Sequence, residues 1–457
     1  MTDVGQREQV AGDAKGERGD GEAPVTTLSL ADVMNLALQL QRQGRLDAAD
    51  ELYGRVLDAV PDHVDALHFL GVSRHQRGRP TEALALVRRA LALDPAHVDA
   101  RNNLGNMLMQ EGHLDDAIAA YRLVLAARPD YPGAYANLGV ALRRQGDLQG
   151  AEQAFRQALK LDPDHGAAYH NLGSILRDSD RDEEALTAFQ RALALLPYDG
   201  ESYRCVGAML YAVGRIAECR EVYERWRVME PDSPIAQHMI AACAGTPAPQ
   251  RASDAYVTQT FDAFANSFDT VLDRLKYRAP ELVADAVVAQ LGPGRGVLDV
   301  LDAGAGTGLC GPLLRPHARR LVGIDLSAKM LDKARARGVY DQLDTAELTG
   351  YMADHPGAFD VVVSADTLVY FGALEAAFGA AFRTLRPGGL LAFTVEKALQ
   401  PSEGGHLLNP HGRYSHHEDY VRRALGQAGF TVLSAEPAHL RLENKVPVEG
   451  VVVLARR

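Results

Sequence analysis

Between residues 29 and 232 the chain repeats one pattern of small, large and helix-breaking positions. Gly71, Gly105, Gly139, Gly173 and Gly207 stand 34 residues apart, and Ala37 holds the same phase one unit earlier. Twelve residues after each comes a small side chain: Ala49, Ala83, Ala117, Ala151, Ala185 and Cys219. Sixteen after comes Tyr53, Val87, Tyr121, Phe155, Phe189 or Tyr223, and twenty-four after comes proline: Pro61, Pro95, Pro129, Pro163, Pro197 and Pro231. A fixed period of this length marks stacked supersecondary units. Small residues let two antiparallel helices approach closely, the large residue fills the gap to the next pair, and proline ends the second helix. Turns between the helices read as Gln43-Gly44-Arg45-Leu46, Arg77-Gly78-Arg79-Pro80 and Gln145-Gly146-Asp147-Leu148. The phase continues to Ala241, which predicts a capping helix after six units.

The period stops at the proline-bearing break from Gly245 to Gln250. A helix-like stretch then runs from Asp254 to Leu275, and a second helix opens at Pro280. Beyond it, aliphatic strand-like runs alternate with helical segments, which predicts a doubly wound α/β sheet. The first strand leads into Val300–Gly308, the second is Leu321–Asp325, and the fourth is Ala358–Ser364 with its exit loop to Gly372. A turn and fifth strand occupy Leu385–Phe393; Phe430–Ser434 and Gly450–Arg456 form a closing antiparallel hairpin. The expected organisation is a disordered tail over 1–27, a helical repeat array over 28–245, and an α/β domain with an N-terminal helical cover over 246–457. The tail is Gly-rich and charged with almost no apolar content, and it lacks the apolar stretch of a secretion signal.

Composition narrows the partners. The chain has 457 residues, too many for one ordinary core, and a net charge of -12. A phosphate-tracking protein carries a basic excess, so nucleic acid is not the expected main ligand. No apolar run approaches the roughly 18–20 residues a membrane helix needs. Cys205, Cys219, Cys243 and Cys310 form no Cys-x-x-Cys pair, which suits a reducing cytoplasm better than a disulfide framework or a zinc site. The histidines between His411 and His417 match no zinc spacing, so no metal is expected.

The 34-residue register resembles the tetratricopeptide repeat family. Arrays of that family curve, and their first helices line a concave groove that commonly takes peptides. Asn35, Asn103, Asn137 and Asn171 fall two residues before the glycine phase, with Phe69 and Cys205 breaking the series. Regularly spaced amides can bond an extended peptide backbone regardless of its sequence. The same asparagine ladder occurs in the repeat superhelix of O-linked N-acetylglucosamine transferases, which these Asn-Leu-Gly repeats resemble. Two other roles stay open: bracing of neighbouring repeats, and self-association of the arrays into a homodimer. Tyr135, Tyr169 and Tyr203, two residues earlier still, read as packing between repeats.

The run VLDAGAGTG carries the chemistry. An aliphatic strand ends in Asp302, and Gly304, Gly306 and Gly308 follow at alternate positions. Glycine permits the tight strand-to-helix turn and lets backbone N–H groups approach a ligand. A dinucleotide fingerprint needs glycine where Leu309 stands. The arrangement is instead similar to Rossmann-like (class I) S-adenosylmethionine methyltransferases. A second acid, Asp325, ends the next strand, where a carboxylate can accept bonds from both ribose hydroxyls of any adenosine ligand. Leu326 and Met330 beyond it look like the adenine wall, as in that class. A narrower resemblance, to bacterial predicted methyltransferases with repeats in front, rests on YVTQTFDAFANSFD, LKYRAPEL, ADTLVYFGAL, LRPGGLLAFTVE and GRYSHHEDYVRRALGQAGF. It covers most of residues 255–457 and names no substrate.

The resemblance implies S-adenosylmethionine as cofactor, with Asp302 toward its ammonium end, the three glycines on its backbone contacts, Asp325 on the ribose, and Glu347 and Leu348 near the adenine. Methyl transfer from a sulfonium is an in-line displacement with a neutral leaving group, so positioning supplies much of the rate and a base is needed only if the acceptor must lose a proton. Asp366, just past the fourth strand, faces the region where methyl and acceptor meet in such folds. Tyr370, Glu396, Arg413, Tyr414 and His416 are expected on loops beyond the fourth and fifth strands, where ligands bind in open α/β sheets. Tyr277 and Arg278 are candidates to close the pocket, against a capping and packing role. The leading function is methylation of a peptide or protein held by the repeats. The alternatives are a small-molecule methyltransferase whose repeats dock a partner, and a scaffold with a cofactor-sensing domain.

Overall fold

A computed structural model describes residues 28–244, 248–400, 402, 404–443 and 446–457. The tail expected over 1–27 and the first three residues of the break lie outside the described residues. These residues form two compact units, one ending at Pro197 and the other running from Tyr198 to Arg457.

The first unit is five helical hairpins: α1 (Leu30–Arg42) with α2 (Leu46–Ala59), α3 (Val64–Gln76) with α4 (Pro80–Leu93), α5 (Val98–Gln110) with α6 (Leu114–Ala127), α7 (Pro132–Gln145) with α8 (Leu148–Leu161), and α9 (Gly166–Asp178) with α10 (Asp182–Leu195). The 34-residue phase maps onto them, and the contacts explain it. A Cβ added at Gly105, Gly139 or Gly173 would lie 2.6–2.9 Å from the ring of Tyr121, Phe155 or Phe189, sixteen residues on. Glycine and ring are thus two sides of one contact inside a hairpin. This corrects the expectation that the large residue fills the gap to the next pair. The repeat starts carry a second regularity: the ring nitrogen of His63, His97 and His165 accepts from the N–H three residues on and caps α3, α5 and α9.

The second unit begins with the sixth hairpin, α11 (Gly200–Ala212) with α12 (Ile216–Met229), then α13 (Pro234–Ala244). The stretch expected as one cover helix is two, α14 (Asp254–Phe264) and α15 (Phe268–Arg274), followed by α16 (Ala279–Leu291) with Pro280 in its first turn. His238 of α13 stacks on Tyr256 of α14 with ring centroids 3.9 Å apart, and its Nε2 bonds the Gly412 carbonyl at 2.8 Å. The last repeat and its cap are therefore packed into the α/β unit itself.

The sheet follows: β1 (Leu298–Ala303), α17 (Cys310–Leu314), β2 (Ala318–Asp325), α18 (Ala328–Ala336), β3 (Gln342–Thr345), α19 (Leu348–Asp354), β4 (Phe359–Ser364), α20 (Glu375–Thr384), β5 (Leu385–Lys397), β6 (His406–Leu408), β7 (Tyr414–His416), α21 (Glu418–Ala428), β8 (Thr431–Glu443) and β9 (Val446–Arg456). Strands β3-β2-β1-β4-β5 are parallel neighbours in that order; β9 runs antiparallel beside β5 and pairs β8. Alternate residues face opposite layers, as the pleat requires. Val300, Val361 and Val363 pack with α16, whereas Leu301, Val322 and Val362 pack with α20 and α21. The order reverses between β1 and β4, so a crevice opens at the carboxyl ends of those strands.

Candidate active site

The loop leaving β1 is shaped by its glycines. Gly304 and Gly306 take φ of +83° and +56°, a region that costs an L-residue strain, and a Cβ on Gly304 would collide with Thr367. The turn brings the Gly306 N–H to the tip of β2, where it donates to Asp325 Oδ2 at 2.9 Å. Asp325 Oδ1 accepts from the Ser327 N–H at 2.8 Å. Burial raises the Asp325 carboxyl, and these N–H groups oppose that. Glu347 caps α19 through Oε2, which accepts from the Gly350 N–H at 2.7 Å. Its Oε1 is buried with no hydrogen-bond partner among the described residues.

These groups share one cavity of about 420 Å³, within the size range of small-molecule sites. Gly304, Gly306, Asp325, Leu326, Glu347 and Leu348 line one part of it. Three residues expected there stand behind the wall. Met330 of α18 is fully buried, and Gly308 turns toward Tyr340 and Ala334. Asp302 is buried and accepts from the Tyr340 hydroxyl at 2.6 Å, while its Oδ1 has no partner among the described residues. Burial pushes its pKa up to about 7 against that hydrogen bond.

The cover is apolar where it faces the cavity, through Phe261, Phe264, Phe268, Val271 and Leu272. Two acids tie it to the loops below. Ser327 Oγ donates to Asp262 and Thr307 Oγ1 to Asp269, each at 2.6 Å.

The other part of the cavity holds a buried ion cluster. Asp366 sits at φ +55°, an uncommon conformation for a residue with a side chain. Its N–H donates to Thr394 Oγ1 at 2.8 Å, and its Oδ2 accepts from Arg441 Nη1 at 2.7 Å. Arg441 of β8 also donates to Glu396 and, at 2.7 Å, to Glu443. Arg413 Nε donates to Glu396 Oε1 at 2.7 Å and its Nη2 to Glu443. Burial pushes Glu396 up, but Arg413 and Arg441 outweigh it and hold the carboxyl at about 2.

Asp366, Tyr370 and Arg413 line the cavity, as do Tyr277, His411, Arg441 and Glu443. Glu396, Tyr414 and His416 do not fall on loops, which corrects the expectation. Glu396 lies within β5, which runs four residues past Phe393, and Tyr414 and His416 form β7. Glu396 bridges the two arginines from behind. The Tyr414 hydroxyl donates to the Pro249 carbonyl at 2.6 Å, and His416 Nε2 donates to the Phe371 carbonyl at 2.8 Å. Burial lowers the His416 pKa to about 4, so its ring is neutral at pH 7 and fastens the loop after β4. Arg278 is exposed, and its N–H joins the Leu440 carbonyl at 2.9 Å.

Two contributors were missed in the sequence. Arg441 and Glu443 lie near the end of β8, a strand of mixed polar and apolar residues distinguished by no motif. Arg204, Ala208 and Tyr211 of α11, with Tyr223 of α12, put the sixth repeat on the cavity wall. Regular repeat phase hid their second role.

The asparagines two residues before the glycine phase make local bonds. Asn103 Nδ2 meets His68 Nε2 at 2.8 Å, Asn137 Nδ2 donates to Asn102 Oδ1 at 3.4 Å, and Asn171 Nδ2 donates to the Ala167 carbonyl at 2.9 Å. Asn35 is exposed.

Comparison with known proteins agrees with this division. Residues 301–393 match a methyltransferase domain family, and residues 34–97, 76–132 and 136–200 match a tetratricopeptide repeat family. Methyltransferase-like protein 27 of Homo sapiens is 34% identical over 138 residues, 30% of this chain and 56% of that protein. A malonyl-[acyl-carrier protein] O-methyltransferase of Enterobacter lignolyticus is 37% identical over 112 residues, 24% of this chain and 44% of that protein. The chain spans about half the length of the curated relatives it matches. A crystal structure of MamA is matched at 26% identity over 36% of this chain and 96% of that one, with a TM-score of 0.33.

Proposed function

We propose that this chain, which joins tetratricopeptide repeats to an S-adenosylmethionine-dependent methyltransferase domain, methylates a peptide or protein acceptor. One observation carries the reading: a single cavity is walled by the glycine loop and Asp325 on one part, by Asp366 and Tyr370 on another, and by the sixth repeat. The residues present suit the cofactor. The left-handed glycine loop leaves room over Gly306, Asp325 stands at the tip of β2, and Glu347 Oε1 is a buried acceptor with no hydrogen bond among the described residues and Arg251 Nη1 3.9 Å away. Asp325 would take the ribose hydroxyls, the Gly304–Gly306 backbone the amino-acid end, and Leu326 and Leu348 the faces of the adenine. Bound there, the cofactor supplies an electrophilic methyl group on sulfur. The cover excludes water, Thr394 fixes the Asp366 backbone, and Arg441 fixes its carboxylate.

Protein acceptors are supported by the repeat on the cavity wall, since repeats of this family serve protein–protein contact. The asparagine series remains the proposed peptide ladder in the first unit, although the bonds of Asn103 and Asn137 to the preceding repeat also suit bracing. The second reading, a small-molecule acceptor, is favoured by relatives named for malonyl-acyl-carrier-protein methylation and for ubiquinone biosynthesis in Thiobacillus denitrificans. Self-association of the repeats into a homodimer belongs to that reading. Among the described residues no helix is long and apolar enough to cross a membrane. The free cysteines support a cytoplasmic setting. The experiment is calorimetric titration with S-adenosylmethionine, followed by incubation of the labelled cofactor with host lysate. Label entering protein supports the first reading, and label entering small molecules the second. Failure to bind the cofactor sinks both.

A further inference from the structure

We propose that the acceptor group is an aliphatic amine, received as its ammonium ion at the Asp366 part of the cavity; this rests on the methyltransferase reading above. Three acids, Asp366, Glu396 and Glu443, surround two guanidinium groups, Arg413 and Arg441, so with every acid ionised the cluster carries a net charge of -1; burial raises the Asp366 carboxyl, and Arg441 opposes that. His411, 3.7 Å from Glu396, adds no charge at pH 7, because burial lowers its pKa to about 4. The cations are already shared among the acids: Arg441 contacts all three and Arg413 two of them. The excess is therefore negative. A carboxylate ligand would raise it to -2 in a site shielded from water, whereas an ammonium ligand brings it to zero.

Asp366 is where that excess meets the cavity. Oδ2 is held by Arg441, and Oδ1 is buried with no hydrogen-bond partner among the described residues. Buried polar atoms in native proteins nearly always have a partner, so this oxygen calls for a donor. Tyr277 and Tyr370 share this part of the wall, and Tyr211 of the sixth repeat sits against His411 with ring centroids 5.8 Å apart. Aromatic faces attract a cation and tolerate an alkyl stem.

The chemistry then balances. A proton passes from R–NH3+ to the Asp366 carboxylate, which frees the nitrogen lone pair. The amine forms the new N–C bond to the methyl of the sulfonium donor as the C–S bond breaks, and that electron pair stays on sulfur. The product is R–NH2+–CH3 beside a neutral thioether, and Asp366 returns its proton to solvent.

The test uses the full chain with three probes of equal length, hexylamine, hexanoate and hexanol, titrated calorimetrically in the presence of S-adenosylhomocysteine. Hexylamine is expected to bind at least about tenfold tighter than either other probe, in line with a charge-assisted hydrogen bond. With labelled S-adenosylmethionine in place of S-adenosylhomocysteine, labelled methyl should appear on the nitrogen of hexylamine. Asp366→Asn keeps the side-chain shape and removes the excess charge, so hexylamine affinity should fall about tenfold while hexanol is unchanged. Should that variant fail to fold, the wild-type ranking of the probes still decides. Hexanoate binding as tightly as hexylamine, or none of the three binding, overturns the inference. Retained S-adenosylhomocysteine binding in those cases leaves the methyltransferase reading standing, whereas its absence removes that reading first.

Discussion

Replacing Arg441 by methionine tests whether the ion cluster is what holds the acceptor part of the cavity in shape. The side chain is 4% exposed and bridges Asp366, Glu396 and Glu443. Without it, Arg413 alone is left beside the buried Glu396 and the partly buried Glu443, and Asp366 loses its cation. Removing one partner of a buried ion pair costs about 3–5 kcal/mol. The pKa of Glu396 sets an upper bound of the same size, because Arg413 and Arg441 share the effect. Glu396 is held from its ordinary 4.5 down to about 2, which corresponds to about 3 kcal/mol of stability. A depressed carboxylate pKa stabilises the fold above the unfolded value and loses that contribution as pH falls through the folded value. The gap between wild type and Arg441→Met should therefore be full at pH 7 and narrow as pH drops from about 4.5 toward 2. Trp226, the sole tryptophan, is buried in α12 of the same compact unit, so its fluorescence reports this unit in denaturant titrations. A loss under 1 kcal/mol at pH 7, or an equal loss at pH 7 and pH 3, would refute the reasoning.

Other outcomes follow from the same contacts. Asp325→Ala removes the acceptor proposed for two ribose hydroxyls and frees the Gly306 and Ser327 N–H groups, so calorimetry should show S-adenosylmethionine affinity lowered at least about 100-fold. Gly139→Ala places a methyl 2.8 Å from the fully buried Phe155 ring, and thermal melts should show a net loss of up to about 2 kcal/mol. In a Phe155→Ala background the same change should stabilise, because only the helix propensity of alanine, worth about 1 kcal/mol, remains. Replacing Asn103, Asn137 and Asn171 together by alanine should cripple methylation of a peptide acceptor and spare cofactor affinity. Unchanged turnover with a lowered melting temperature would assign them to bracing.

Much of this architecture was legible because it rests on periodicity. Each array glycine must face a large residue sixteen positions on, and that pair recurs visibly. The aliphatic strands ending in Asp302 and Asp325 were equally clear, since a parallel sheet buried on both faces demands them. Asp325, Leu326, Glu347 and Leu348 line the cavity because they lie beside those strand ends, where backbone position alone brings them to the crevice. The same logic placed Asp366, Tyr370 and Arg413.

It failed where a side chain's direction, rather than its place along the chain, decides the role. Asp302 and Met330 sit at the expected strand and helix positions yet point behind the wall. Glu396, Tyr414 and His416 follow the right strands, but β5 and β7 continue through them and turn them to bonds with Arg413, Pro249 and Phe371. Arg441 and Tyr211 come from a hairpin and a repeat that local patterning assigns to packing. By itself, then, the sequence determined the repeat register, the α/β strand order and the glycine loop after β1, because those follow from local spacing. Only the tertiary structure decided that the sixth repeat walls the cavity and that a net-negative ion cluster borders it. Charges from β5, β8 and the loops after β4 and before β7 meet there through long-range packing, which no local pattern encodes.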